Sequence, residues 1–190
     1  SSDLENNKID LVLDECFSEF LDDEKKYSAM EEINSFSNVI ILKAFTKIYA
    51  MAGIRLGFAI FGDSVKCHIV SETLQPWSVS TVAAKCGIKA LQIKDFREQT
   101  KKYVTANRKY LIENLKELGF IVYESKANYI FFKSEIELDK KLEKYNILIR
   151  NCGNYIRLSK KYYRIAVRTK EENKYLIDCL KKIKQMSKLC

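Results

Sequence analysis

The sequence predicts an α/β protein in which part of a mixed, mostly parallel sheet is followed by a smaller α+β domain. Three runs, at residues 9–14, 38–43 and 56–62, are apolar throughout rather than alternating, which is typical of strands in a sheet covered on both faces. From residue 63 onwards the pattern changes to long helical stretches with short strands between them. We therefore assign residues 1–80 to the first domain and residues 81–190 to the second.

The elements follow one another in a clear order. Between the first two strands, residues 19–37 are polar and irregular. After the third strand, a helix of small residues over 78–93 precedes a long amphipathic helix over 95–119. Thr169 and Glu172 form the pattern of a capping box at the start of the last helix. The remaining elements are predicted as strands at 120–123, 128–132, 147–150 and 163–167 and as helices at 136–145 and 170–187.

The composition excludes several classes of protein. The chain has 190 residues, 47% of them hydrophobic, so it can bury a core, and no apolar stretch is long enough to cross a membrane. The N-terminal SSDLENNKID is polar and acidic, unlike a signal peptide. Six scattered cysteines without a CxxC pair argue against zinc and for a reducing cytosol. The net charge of +8 comes from lysines mixed with Glu and Asp, so we expect no nucleic-acid partner, although this charge suits a phosphorylated substrate.

The motif that carries chemistry is the run KAFTKIYAMAGIRLG at residues 43–57. Lys47 follows the second predicted strand, Arg55 lies between two glycines, and Asp14 ends the first predicted strand. Ligands of open α/β sheets bind outside the carboxyl ends of the strands. An imine-forming lysine, a phosphate-binding arginine and an aspartate for a ring nitrogen are what pyridoxal phosphate requires. Taken singly, each residue has an ordinary structural explanation, so their order along the chain carries the prediction.

This order of motifs resembles the fold type I pyridoxal-phosphate enzymes of the aspartate-aminotransferase type. Within that family it is similar to the histidinol-phosphate aminotransferases and more so to the threonine-phosphate decarboxylases. The resemblance covers the C-terminal half of the family's chain. The N-terminal half, which brings a glycine-rich phosphate loop, a ring-stacking aromatic residue and an asparagine, has no counterpart in these 190 residues. The segments that carry the resemblance are LVLDECFSEF (11–20), FTKIYAMAGIRLGF (45–58), QPWSVSTVAA (75–84), KANYIFF (126–132) and ILIRNCGNYIRLSKKYYRIAVRTKEEN (147–173).

The resemblance implies roles for seven residues. Asp14 matches the aspartate that pairs with the pyridine nitrogen, and Lys47 matches the Schiff-base lysine. Phe17 stands where aminotransferases have a tyrosine that hydrogen-bonds the ring oxygen, and the decarboxylases are similar in having phenylalanine there. The alternative for Phe17 is a core aromatic residue. The other matches are Thr46 and Arg55 for the cofactor phosphate, Arg164 for the substrate carboxylate and Arg150 for a second substrate contact near the substrate phosphate.

Two positions depart from the family's pattern. Ala44 stands where a serine or threonine usually precedes the lysine by three residues, which removes one hydrogen bond to the cofactor phosphate. Ser80 stands where related segments have asparagine.

The implied reaction is the decarboxylation of L-threonine O-3-phosphate to (R)-1-amino-2-propanol phosphate in cobalamin biosynthesis, with pyridoxal phosphate as cofactor. One alternative is an aminotransferase acting on histidinol phosphate or a similar amino substrate. Another is a non-catalytic fragment that lacks the N-terminal half. The resemblance further implies a cytoplasmic homodimer that binds a small phosphorylated amino acid and has no membrane partner.

Overall fold

The computed structural model describes residues 2–187, which fall into two compact units that divide between Lys101 and Lys102. Each unit combines helices with a β-sheet, so the predicted α/β class is confirmed. The domain boundary after residue 80 stays a prediction. Cys190, one of the cysteines noted above, lies outside the described residues. No helix in the described part of the chain is long and apolar enough to span a membrane.

The first unit contains a three-stranded sheet and short helices, and its last helix continues into the second unit. The strands are β1 (Leu11–Asp14), β2 (Val39–Ala44) and β3 (Gly57–Phe61). The helices are α1 (Ser2–Asn6), α2 (Glu24–Tyr27), α3 (Phe45–Ile48), α4 (Ser64–Thr73), α5 (Thr81–Gln92) and α6 (Phe96–Glu117). Short 3₁₀ turns lie at Ser18–Phe20, Ile33–Ser35 and Ala52–Ile54.

The sheet of the first unit is mixed, with β2 in the centre. Strand β1 runs parallel to β2, with Asp14 opposite Leu42, and β3 runs antiparallel to β2, with Gly57 opposite Ala44. A Cβ atom added at Gly57 would lie 2.9 Å from the Lys43 carbonyl oxygen. Glycine therefore allows the start of β3 to lie close against the end of β2. The turn that holds Lys47 follows directly after that end of β2.

The two faces of this sheet have different surroundings. One face packs on the segment between β1 and β2, where Ile33, Val39 and Ile41 form a small buried core. The opposite face includes Val12, which is 55% exposed, and Asp14, which is also exposed. The coverage predicted for both faces is therefore incomplete, and the carboxylate of Asp14 lies on the more open face.

The second unit contains a four-stranded antiparallel sheet in the order β4-β5-β7-β6. One face of this sheet packs on helices, and the core includes Leu111 and Leu115 of α6 together with Phe132 and Tyr163, all fully buried. The strands are β4 (Ile121–Val122), β5 (Tyr129–Lys133), β6 (Arg150–Asn151) and β7 (Tyr162–Ala166), and the helices are α7 (Leu138–Glu143) and α8 (Lys170–Met186).

Most predicted elements of the second unit are present, with one exception. The capping box of α8 is confirmed, since Thr169 accepts from the Glu172 amide and the Glu172 carboxylate accepts from the Thr169 amide. The strand predicted over 147–150 is wrong for most of its length, because only Arg150 of that run pairs with a neighbouring strand. Asn146 adopts a left-handed conformation, and the Ile147 amide donates to Leu142. The run therefore follows helix α7, and its Ile147 and Ile149 pack on the core while Leu148 is exposed.

Candidate active site

Asp14 is the last residue of β1 and presents its carboxylate on the open face of the sheet. The amide of Cys16 donates a hydrogen bond of 3.0 Å to Asp14 Oδ1. Hydrogen bonds from the thiol and the amide of Cys16 hold the pKa of Asp14 below its usual range, against a smaller opposing effect of burial, and the nearby charge of Lys47 adds to the lowering. Asp14 is therefore ionised at neutral pH, as a partner for a protonated ring nitrogen must be.

Lys47 lies in helix α3, a single turn that begins directly after β2. Ala44 precedes this turn and provides no side-chain cap. The ammonium group of Lys47 lies 5.5 Å from the centre of the Phe17 ring, within the range of a cation–π contact. Asp14 and Lys47 thus lie at the carboxyl ends of two parallel strands, as the sequence predicted, and Phe17 lies beside Lys47.

The two residues predicted to bind the cofactor phosphate lie on either side of Lys47 in the chain. Thr46 is buried beside Lys47. Arg55 is exposed, and its guanidinium donates a hydrogen bond of 3.1 Å to the Ala52 carbonyl. This bond holds Arg55 against its own turn and uses one of the five N–H donors of the guanidinium, so donors remain for a phosphate.

The backbone around Lys47 is strained. Ala50 and Arg55 both have positive φ angles, of 53° and 56°, a conformation that costs non-glycine residues free energy. Such strain persists only where the surrounding structure imposes it, and it is concentrated at functional sites. The turn between β2 and β3 shares this conformation with other turns of the described chain, such as that at Asn146, so strain alone does not distinguish it.

These residues fit pyridoxal phosphate by their chemistry. Lys47 offers a primary amine for a covalent link to an aldehyde, Asp14 offers an ionised carboxylate, and Arg55 offers a permanent cation for phosphate. No cluster of histidine, cysteine, aspartate or glutamate that could hold a metal ion occurs within residues 2–187.

The two predicted substrate arginines lie side by side in the sheet of the second unit. Arg150 of β6 is directly opposite Arg164 of β7, so both side chains project from the same face, away from the helices. Neither guanidinium has a carboxylate partner among the described residues. Like charges opposite each other are unfavourable, and a bound anion would relieve that repulsion.

Aromatic side chains surround this pair of arginines. The Arg164 guanidinium lies 5.1 Å from the centre of the Tyr129 ring, and Arg150 lies 5.9 Å from the Tyr155 ring and donates a 3.0 Å hydrogen bond to Asn154. Flat rings and an amide oxygen orient the guanidinium groups without neutralising them. Their positive charge therefore remains available to a carboxylate or phosphate.

An open cavity of about 550 Å³ adjoins Arg150 in the second unit. Arg164 does not line it, so the cavity contains only one of the two arginines predicted to bind the substrate. Most of the residues that line it are polar or charged, and they include Glu137, Asp139, Lys140, Arg150, Asn154 and Lys160.

The sequence did not predict a buried group of charges in the first unit. Lys43 and Glu15 are 9% and 8% exposed, and their side chains form an ion pair of 3.0 Å. Glu24 makes a second ion pair with Lys43, of 2.9 Å. The signal in the sequence was a lysine at the end of an otherwise apolar run, but its partners lie far away in the chain.

These carboxylates should make the stability of the chain sensitive to acid. Burial favours a higher pKa for Glu15 and for Glu24, but hydrogen bonds outweigh this effect and lower both pKa values. Ser28, Ala29 and Lys43 donate to Glu15, and Lys43 donates to Glu24. A lowered folded-state pKa stabilises the fold above the unfolded-state value of about 4.3. This stabilisation is lost as the pH falls through the folded-state pKa.

We therefore expect the urea midpoint of unfolding to fall as the pH drops below about 4.3. A Glu15→Gln variant should show a shallower dependence on pH in the same range. A midpoint that stays level in acid, or falls equally in both proteins, would contradict this assignment.

Comparison with known proteins identifies the family. The model of the family "Aminotransferase class I and II" matches residues 3–180. The threonine-phosphate decarboxylase of Salmonella typhimurium is 31% identical over 92% of this chain and 49% of its own length. Histidinol-phosphate aminotransferase 2 of Archaeoglobus fulgidus is also 31% identical, over 91% of this chain and 49% of its own length.

A solved structure agrees with these relatives. The histidinol-phosphate aminotransferase of Clostridium acetobutylicum superimposes with a TM-score of 0.90 at 29% identity, covering 97% of this chain and 57% of that protein. The chain spans about half the length of the curated relatives it matches. Because the family model matches nearly the whole length of this chain, the chain belongs to the class I and II aminotransferase family, whose cofactor is pyridoxal phosphate.

Proposed function

We propose that the protein carrying this chain decarboxylates L-threonine O-3-phosphate to (R)-1-amino-2-propanol phosphate in cobalamin biosynthesis. The observation that supports this most is the contact of Lys47 with the ring of Phe17. Phenylalanine there matches the threonine-phosphate decarboxylases, which the family resemblance distinguishes from the aminotransferases by this position. In keeping with the family, we also propose a homodimer in the cytoplasm.

Each candidate site residue of the first unit has a defined task in this proposal. The chemistry that pyridoxal phosphate would supply at this site is that of an electron sink for the substrate. Asp14 would hold a positive charge at the ring nitrogen, and Arg55 with Thr46 would hold the phosphate. Lys47 would hold the cofactor through its amine, and the same amine would deliver a proton to the substrate α-carbon.

The two arginines of the second unit would bind and orient the substrate. Arg164 would bind the substrate carboxylate and Arg150 the substrate phosphate, through charge-assisted hydrogen bonds. The orientation in which these arginines would hold the substrate is what would separate a decarboxylase from an aminotransferase.

An aminotransferase acting on histidinol phosphate is the second candidate. The structural match with a TM-score of 0.90 to a histidinol-phosphate aminotransferase favours it. The same residues serve both reactions, so the difference between them is one of substrate orientation.

A product assay separates the two candidates. We expect the loaded protein to release carbon dioxide from L-threonine O-3-phosphate and to transfer no amino group from histidinol phosphate to 2-oxoglutarate. Amino transfer to 2-oxoglutarate without release of carbon dioxide would overturn the decarboxylase assignment in favour of the aminotransferase.

Arg164→Ala should weaken substrate binding far more than cofactor binding. Loss of a charge-assisted contact of this kind costs about 1.5–3 kcal/mol, roughly a 10- to 150-fold loss of affinity. Titration with L-threonine O-3-phosphate and, separately, with pyridoxal phosphate measures the two effects. Arg157, an exposed arginine of the same unit, provides the matched control, and Arg157→Ala should change neither affinity. Equal losses for substrate and cofactor would contradict the role of Arg164.

A further inference from the structure

Lys43 is an almost fully buried cation at the end of β2. Its ammonium group lies 3.0 Å from Glu15 Oε2 and 2.9 Å from Glu24 Oε1, and donates a 2.8 Å hydrogen bond to the Ser18 hydroxyl. We call these four residues the Lys43 cluster. An ammonium group has three protons to donate, and each of the three has an acceptor here.

The Lys43 cluster connects to the rest of the first unit through further bonds. Glu15 Oε2 accepts a 2.6 Å hydrogen bond from the Ser28 hydroxyl, and Oε1 accepts one of 2.8 Å from the Ala29 amide. Glu24 also pairs with Arg97, in the first turn of α6, at 3.0 Å. The segment between β1 and β2 is thereby tied to Lys43 by several side chains rather than by strand pairing.

The position of the cluster relates it to the candidate active site. Glu15 directly follows Asp14, and its amide continues the pairing with β2 by donating to Leu42. Because side chains alternate along a strand, Asp14 projects to the open face and Glu15 to the covered face. Lys43 lies four residues before Lys47, so one buried ion pair joins the two segments that carry Asp14 and Lys47.

We propose that the Lys43 cluster is a positioning device that fixes Asp14 and Phe17 relative to Lys47. This inference rests on the proposed function for the roles of Asp14 and Lys47. The members of the cluster lie on the covered face and contribute no group to the open face, so they act through the backbone of their neighbours.

Physical considerations favour positioning over stability as the purpose of the cluster. Burying charges is costly, and apolar side chains of the same volume often stabilise a fold as well or better. Directional contacts, however, hold a segment in one arrangement where a small apolar core would allow several. The apolar core on this face contains few fully buried residues, and the 15–29 segment consists of short turns.

Cys16 provides a reporter that requires no cofactor. It lies between Asp14 and Phe17, and burial, followed by the hydrogen bond to Asp14, raises the pKa of its thiol to about 11. Alkylation requires the thiolate, so in the intact chain Cys16 should react slowly at mildly alkaline pH. Release of the segment would lower the pKa of Cys16, and each unit of lowering increases the thiolate fraction about tenfold.

The test compares iodoacetamide alkylation of individual cysteines by mass spectrometry in three variants. Lys43→Met should speed alkylation of Cys16 at least about tenfold while leaving the exposed Cys67 unchanged. Lys43→Arg, which keeps a cation, should remain near the wild-type rate. Lys25→Met, which removes an exposed lysine that pairs with Glu31, is the matched control and should have no effect.

A double variant keeps the inference testable if Lys43→Met alone fails to fold. Glu15→Gln with Lys43→Met removes the two charges of the Lys43–Glu15 pair and leaves Glu24 paired with Arg97. The amide group introduced by Glu15→Gln could still accept from Ala29 and donate to Ser28. If the cluster positions the segment, the double variant folds, as judged by circular dichroism, but keeps fast alkylation of Cys16. If the cluster matters only because a lone buried charge is harmful, the double variant returns to the wild-type rate, and the inference is overturned.

The result does not depend on whether the proposed function is correct. Cys16 alkylation is measured without pyridoxal phosphate, so it tests the positioning of the segment even if Lys47 never binds the cofactor. Loading the same variants with pyridoxal phosphate then tests the consequence, namely at least a tenfold slower covalent attachment in the double variant than in Lys25→Met. Fast alkylation of Cys16 with unchanged cofactor attachment would contradict only the proposed effect of the cluster on Lys47.

Discussion

Replacing Lys47 by arginine is expected to abolish covalent attachment of pyridoxal phosphate and all turnover that depends on it. Arginine keeps a positive charge above the Phe17 ring but has no deprotonable amine that could attack an aldehyde. The visible absorbance band of the lysine-linked cofactor measures the loss directly. The substitution conserves charge and approximate length, so circular dichroism should show an unchanged fold.

A matched substitution distinguishes Lys47 from the many other lysines of this chain. Lys89 is an exposed lysine of the same unit, on helix α5, and Lys89→Arg should leave the absorbance band at its wild-type intensity. A band that persists in Lys47→Arg would show that another lysine reacts with the aldehyde, and the assignment of Lys47 would be wrong.

Asp14→Asn is expected to reduce turnover by about 10²- to 10³-fold, comparable to the loss of other preorganised electrostatic contacts in active sites. Asparagine has nearly the same shape as aspartate and can still accept the hydrogen bond from Cys16, but it carries no charge to hold a proton on the ring nitrogen. Covalent attachment at Lys47 should survive, so the absorbance band remains while turnover falls.

The control for Asp14→Asn is a carboxylate at the other end of β1. Asp10 precedes this strand and pairs with Lys66 on the exposed surface, and Asp10→Asn should leave turnover unchanged. Turnover that is equally unaffected in Asp14→Asn would refute the role of Asp14. Loss of the absorbance band in that variant would indicate a role in binding the cofactor instead of in activating it.

The sequence predicted the fold class, and the position of Asp14 and Lys47 at the ends of strands, because both depend on local patterns. Apolar runs mark the buried strands, and ligands of an α/β sheet bind at the carboxyl ends of its strands. The positions of Asp14 and Lys47 in the sequence therefore sufficed to place them at that edge of the sheet. The juxtaposition of Arg150 and Arg164 depends on the register of β6 with β7. A pattern of single residues does not encode that register.

Features that depend on residues far apart in the chain could not be predicted from the sequence. Lys43 ends an apolar run, and nothing local shows that its ammonium is buried between Glu15 and Glu24. The strand predicted over 147–150 failed for a related reason, since apolar residues after a left-handed Asn146 can pack on a core without joining a sheet. In both cases the contacts made in three dimensions decide the outcome.

The most direct test of the central claim is to locate the cofactor on the chain. The 190-residue chain would be incubated with pyridoxal phosphate, reduced with borohydride to make the link permanent, digested and mapped by mass spectrometry. We predict that the modified peptide contains Lys47 and that modification elsewhere is minor. Label spread over exposed lysines such as Lys89, or no label at Lys47, would contradict the account and favour a non-catalytic fragment.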